Sequence, residues 1–175
     1  MLMDKIEKQP CPACLKKTLT LTEDVMEVPF FGKAFVFSMK CGSCDYSLSD
    51  VEAETPKDPS RYTYEISSDK DMNVRVVKSS SATLKIPQLK VSMEPGPSSS
   101  GFITNIEGIL ERFKKVIEQE RENSEDDSVK KNAKNLLKKI WKVKLGDLKV
   151  KIILEDPSGN SAIISEKAKV ERLKK

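Results

Sequence analysis

Four cysteines are the only residues here whose type and spacing by themselves suggest metal chemistry. They fall in two identical pairs, "CPAC" (11–14) and "CGSC" (41–44), separated by 26 residues. The chain has no histidine. Two such knuckles can each offer two sulfurs to one tetrahedral ion, about 2.3 Å from each sulfur. Pro12 and Gly42 suit the tight turns that aim both thiols inward. The pattern predicts one zinc ion held by Cys11, Cys14, Cys41 and Cys44, although the spacer exceeds the commonest range. Thiol exchange would need one active pair on a βαβ scaffold, which the pattern lacks. Structural disulfides need an oxidising compartment. An iron–sulfur cluster also takes four cysteines, but paired knuckles favour zinc.

Catalytic zinc keeps one position open for water, whereas four thiolates close the shell. A mixed set would need a carboxylate, and Asp45, beside Cys44, reads as a turn residue. The ion is therefore expected to be structural. No other constellation argues for an enzyme. The serine-rich "KSSSATLKIP" (78–87) has no partner base, and no glycine arrangement resembles a phosphate loop.

The elements that must position these residues read as strands with a helical interruption. Between the knuckles, "TLTLT" (18–22) and "KAFVFSMK" (33–40) alternate, predicting a β-hairpin. Further on, "RYTYEI" (61–66), "MNVRVVK" (72–78), "TLKIPQLKV" (83–91), "LKVKIIL" (148–154) and "AII" (162–164) are short strand-like runs. Pro87 shifts the alternation of the third. Such runs predict an antiparallel sandwich or barrel. "EPGPSSSG" (94–101) and "ENSEDDS" (122–128) read as loops. Between them Ile106, Ile109, Leu110, Phe113, Val116 and Ile117 recur at helical spacing, with Thr104 expected as N-cap and Glu107 at N3 of a capping box. Val129, Ala133, Leu136, Leu137 and Ile140 form a second stripe, with Lys131, Lys134, Lys138 and Lys142 opposite. Trp141 flanks this stripe and is expected in the core. The pair makes a helical hairpin inserted at about 104–143.

Composition is that of an ordinary soluble chain: 175 residues, 38% hydrophobic and 33% charged, net +4. Residues 1–127 carry 17 Lys/Arg against 22 Asp/Glu, and residues 128–175 carry 14 against 5. The basic C-terminal third could meet an acidic partner or nucleic acid, or form a solvated lysine face. No run is apolar enough to span a bilayer, and "MLMDKIEKQP" shows no apolar signal region, so a cytoplasmic location is expected.

Two segments are candidate contact surfaces. "PFF" (29–31) puts Phe30 and Phe31 beside the hairpin tip, where they either pack on the knuckles or anchor a partner. "DPSGNSAII" (156–164) reads as a hairpin turn that could also offer Asp156, Gly159, Asn160 and Ser161 to a partner.

Five segments in order resemble the ZPR zinc-finger domain family: "CPAC", "VPFFGKAFVFSMKCGSCDYSLSDVE", "VRVVKSSSATLKIPQLKV", "GFITNIEGIL" and "EDPSGNSAII". The module occurs once here, as in archaeal members. Asp45 stands where the family usually carries glycine, Gln88 where it carries an acidic residue, and Asn105 where it carries threonine. The resemblance implies a mainly β fold: a four-cysteine zinc ribbon (1–53), then a jelly-roll-like double-stranded β-helix domain (54–175) carrying the helical hairpin. It also implies a protein-interaction module that binds translation elongation factor 1-alpha and assists its folding. The alternative, a nucleic-acid-binding zinc ribbon, has less behind it, since only Trp141 lies near the second helix's lysines for stacking and the knuckles are not strongly basic.

Overall fold

A computed structural model describes residues 4–28, 31–55, 57–97 and 99–173. Phe30, one of the candidate anchors, lies outside the described residues. Among those described, twelve strands form three antiparallel sheets.

The first sheet is the cysteine ribbon, in the order β1 (Asp4–Gln9), β2 (Leu19–Val28), β3 (Gly32–Cys41), β4 (Ser47–Ala53). β2 and β3 pair without a slip from Leu19↔Cys41 to Val28↔Gly32. The hairpin predicted from the alternation is thus present, and longer than either run. Gly32 resumes the strand after the hairpin turn at φ +96°, a conformation that costs glycine least.

The second sheet runs β12 (Lys169–Arg172), β5 (Ser60–Ile66), β10 (Val150–Asp156), β7 (Thr83–Ile86), β8 (Val91–Met93). The third runs β11 (Ala162–Ile164), β6 (Arg75–Lys78), β9 (Phe102–Asn105). Alternate residues of both sheets enter one core: Tyr64 and Ile66 from β5, Ile152 and Leu154 from β10, Leu84 from β7, Val76 from β6 and Ile163 from β11. This is the jelly roll, and its period-two burial is why these runs were readable.

Helices α1 (Ile106–Asn123) and α2 (Asp127–Lys144) leave the jelly roll after β9 and return before β10. Ile106, Ile109, Leu110 and Phe113 of α1, with Ile140 and Val143 of α2, plug the same core. None of the described helices is long and apolar enough to cross a membrane.

Four local expectations are corrected. The N-cap of α1 is Asn105, not Thr104: its side-chain oxygen accepts from the Gly108 N–H at 2.8 Å. Thr104 belongs to β9, paired with Val76, and Glu107 forms an ion pair with Lys144 at 2.9 Å. The run at 72–78 is half strand only, because Asp69–Asn73 form a 3-10 turn that buries Met72. The run at 83–91 is split by a 3-10 turn at Pro87–Leu89, since proline has no N–H to give the ladder. Trp141 is 62% exposed. It follows the inward Ile140 by one residue, a step of about 100° around a helix, and so points away from the core.

Candidate metal centre and the ribbon junction

The two knuckles are built by backbone turns. The Cys11 N–H donates to the Lys16 carbonyl at 2.9 Å, and the Leu15 N–H to the Cys11 carbonyl at 2.8 Å. In the second knuckle the Cys41 N–H donates to the Tyr46 carbonyl at 3.0 Å. The Gly42 N–H then ties one knuckle to the other through the Thr18 carbonyl at 2.9 Å. Asp45, at the family's glycine position, is not left-handed; that backbone falls to Leu15, at φ 61°.

These turns bring the sulfurs together. Cys11 and Cys44 are 3.8 Å apart, Cys14 and Cys41 3.7 Å, and all four sulfurs lie within 4.8 Å of one another. Four ligands about 2.3 Å from a tetrahedral centre stand about 3.8 Å from each other, so the donor set fits one ion. A disulfide would need about 2.05 Å. The Thr18 hydroxyl and the Ser43 N–H, each 3.3 Å from the Cys41 sulfur, lower that thiol to about 6. Cys44 is pushed up to about 12: the Tyr46 N–H pulls it down, but burial and the neighbouring thiols of Cys41, Cys14 and Cys11 outweigh that pull. Four thiols this close resist joint ionisation unless a cation sits among them. The set could therefore hold a metal ion, with the Thr18 hydroxyl and Ser43 N–H supporting the charge on Cys41.

Phe31 does not pack on the knuckles. It is buried with Val28, Ala34, Val51 and Ala53 of the ribbon against Val77 and Ala162 of the jelly roll. The 156–161 segment is also not a free loop. Asp156 is fully buried at the end of β10 and accepts from the hydroxyls of Ser79 (2.9 Å), Ser81 (3.0 Å), Ser158 (2.7 Å) and Ser161, and from the Ser158 N–H at 2.8 Å. Burial pushes this carboxyl up, but the Ser161 and Ser158 bonds hold it below the ordinary range. Ser161 is buried and also accepts from the Ser79 N–H at 2.9 Å. Asn160 accepts from the Ala53 N–H of the ribbon at 3.1 Å. Gly159 is buried at φ +74°, and a Cβ there would meet the Lys57 carbonyl oxygen at 2.2 Å.

Asp50 and Lys78 of this junction carry no chemistry-bearing spacing in the sequence. Asp50 on β4 accepts from the Ser80 N–H at 2.8 Å and from the Ser80 hydroxyl. Lys78 is fully buried and donates to the Ser79 carbonyl at 3.0 Å, with Asp156 and Asp50 offsetting part of the burial that lowers its pKa. The serine run at 79–81 was visible without a partner base. Its partners are carboxylates, one of them 77 positions away, and no local spacing announces that pairing. Gln88, where the family carries an acid, accepts from the Lys151 N–H at 3.0 Å and so makes a neutral bond to β10.

Comparison with known proteins agrees with this architecture. The ZPR1 jelly-roll domain family matches residues 70–174. An uncharacterised ZPR1-like protein of Methanocaldococcus jannaschii is 38% identical over 165 residues, covering 94% of this chain and 83% of its own length. A second such protein, from Pyrococcus horikoshii, is 36% identical over 177 residues, covering 99% of this chain and 79% of its own. The zinc finger chaperone zpr1 of Schizosaccharomyces pombe is 28% identical over 158 residues; these cover 86% of this chain but 34% of that protein.

Proposed function

The chain belongs to the ZPR1 family in its single-module archaeal form, and on that premise we propose that it is a zinc-binding, non-enzymatic module that assists another protein, with translation elongation factor 1-alpha as its client. The observation that carries a binding role is the preformed, closed set of four sulfurs, Cys11, Cys14, Cys41 and Cys44. Zinc suits a tetrahedral all-thiolate site, and four thiolates leave no position for a reacting water. The metal then contributes shape: it closes the two knuckles onto the end of the β2–β3 hairpin. The name of the fission-yeast relative supports a chaperone role.

The contact face is taken to lie on α2. Trp141 and Leu145 are 62% and 52% exposed, one helical turn apart, with Lys138 and Lys142 also exposed beside them. A large aromatic left in water and ringed by lysines suits an apolar, acidic partner surface. Phe31, Asp156 and Ser161 are buried and would act indirectly, by holding the ribbon to the jelly roll.

Titration of the purified chain against elongation factor 1-alpha, nucleotide-free, GDP-bound and GTP-bound, tests this reading. A stoichiometric complex is expected, lost in a Trp141→Ala, Leu145→Ser variant whose melting temperature is unchanged. No complex in any nucleotide or refolding state would overturn it. Elemental analysis should return one zinc per four-cysteine site, and a metal-free chain with intact knuckles would refute the zinc assignment.

A further inference from the structure

The ribbon tip and the jelly roll enclose a hollow that neither the cysteine centre nor α2 uses. Its volume is about 380 Å³. Phe31, Tyr62, Ile163 and Ile164 form its apolar walls, and Val170, 56% exposed, stands at its mouth. One cation reaches into it. The Lys57 ammonium donates to the Phe31 carbonyl at 2.8 Å and lies 3.6 Å from the centroid of the Phe31 ring. An ammonium has three protons to donate, and the carbonyl takes one. Burial lowers the Lys57 pKa, and among the described residues no ion pair to Lys57 offsets that cost. Among the described residues lining the hollow, the second charged group is Glu166, which is exposed to solvent.

We propose that this hollow binds a small apolar monocarboxylic acid, its carboxylate on the Lys57 ammonium and its hydrocarbon part against Phe31, Tyr62 and Val170. Charge sets the sign: the cation lining the hollow is partly desolvated and held against an aromatic face, and an anion completes it. Size sets the class. A hollow of about 380 Å³ falls within the range of roughly 300–1,000 Å³ typical of small-ligand sites and exceeds what one protein side chain fills. Glu166 sets the valence, because a second negative charge on the ligand would face it across the rim.

The test is a titration of the 175-residue chain with octanoate, octanol and octylamine, followed by methyl NMR. Saturable shifts are expected at Ile163, Ile164 and Val170 with octanoate, and affinities about tenfold weaker for octanol and weaker still for octylamine. Lys57→Gln should lose that about tenfold preference for octanoate over octanol, and Lys57→Arg should keep it. Val170→Asp changes an exposed residue at the mouth; with its melting temperature equal to the parent's, it should abolish octanoate binding. Octanol binding as tightly as octanoate, shifts confined to another face, or no saturation by roughly 10 mM would overturn the proposal. So would a peptide ending in an apolar residue that binds far more tightly than octanoate, because the site would then read a chain terminus.

Discussion

Asp71 sits buried in the turn before β6, 4% exposed, yet its neighbours keep it ionised. It accepts from the Tyr64 hydroxyl at 2.6 Å and from the Ser67 and Ser68 N–H groups at 2.8 and 2.9 Å. Burial pushes its pKa up, but the Tyr64 hydroxyl and the serine N–H bonds outweigh burial and hold it at about 2. Burial, with the same contact adding to it, pushes the Tyr64 hydroxyl up to about 12. A carboxylate whose folded pKa is depressed stabilises the fold above its unfolded value, near 3.8, and that contribution disappears as pH falls toward about 2. Asp71→Asn should cost about 2–3 kcal/mol at neutral pH. Urea melts across pH should show the gap to the parent chain closing between about pH 4 and about pH 2, and a pH-independent gap would rule out the ionised form as its source. Gly159 makes a second residue-level case. Its left-handed backbone lies against the carbonyl of Lys57, so the obstacle to a side chain is main chain that has little room to shift. Gly159→Ala is expected to cost about 3 kcal/mol or more, read as a drop in the urea midpoint. A stability within error of the parent would mean that the 57–58 backbone yields cheaply.

At the scale of elements, α2 separates two roles that its sequence interleaves. Ile140 and Val143 face the core, while Trp141 and Leu145 face water. Ile140→Ala should therefore cost about 2–4 kcal/mol, whereas Trp141→Ala should stay within about 0.5 kcal/mol. Paired denaturant melts decide this, and a large loss for Trp141→Ala would place the ring in the core after all. The helical stripe was legible from the period of Ala133, Leu136 and Ile140. The fate of Trp141 was not, because hydrophobicity alone suggests burial and only the angular position around the helix corrects it. At the start of α1, Asn105 replaces Thr104 as cap because β9 runs on through Thr104 and Asn105 in register with β6. Asn105→Ala should cost about 1 kcal/mol of stability, more than Thr104→Ala.

Across the whole molecule, three apolar clusters among the described residues differ greatly in size. The one beside the sulfurs has only Cys11, Leu19 and Cys41 buried, with Leu21, Met39 and Tyr46 partly so. Such a cluster is too small to hold two knuckles closed without an ion, and structural zinc supplies roughly 10–16 kcal/mol of apparent binding in comparable peptides. The jelly-roll core is continuous and draws on both sheets and both helices. On the proposed zinc assignment, a chelator should release the knuckle amides at 11–18 and 41–46 while β5 and β10 keep their protection from hydrogen exchange. Simultaneous loss in both regions would show instead that the junction of Asp50, Ser79–Ser81 and Asp156 transmits the collapse.

The sequence by itself determined what depends on spacing along the chain. That includes the four-cysteine donor set, read from two identical C-x2-C pairs, and the β2–β3 hairpin, the alternating strands of the jelly roll and the two-helix insertion, whose patterns repeat within a few residues. Tertiary structure alone decided which polar residues meet. Asp50 finds Ser80 and Asn160 finds the Ala53 backbone across separations of 30 and 107 residues. It also decided that Phe31 is buried at a seam, that Trp141 is left in water, and that Lys57 lines a hollow with its ammonium over the Phe31 ring. Burial and hydrogen-bond satisfaction are properties of the packed chain, and no local period encodes them.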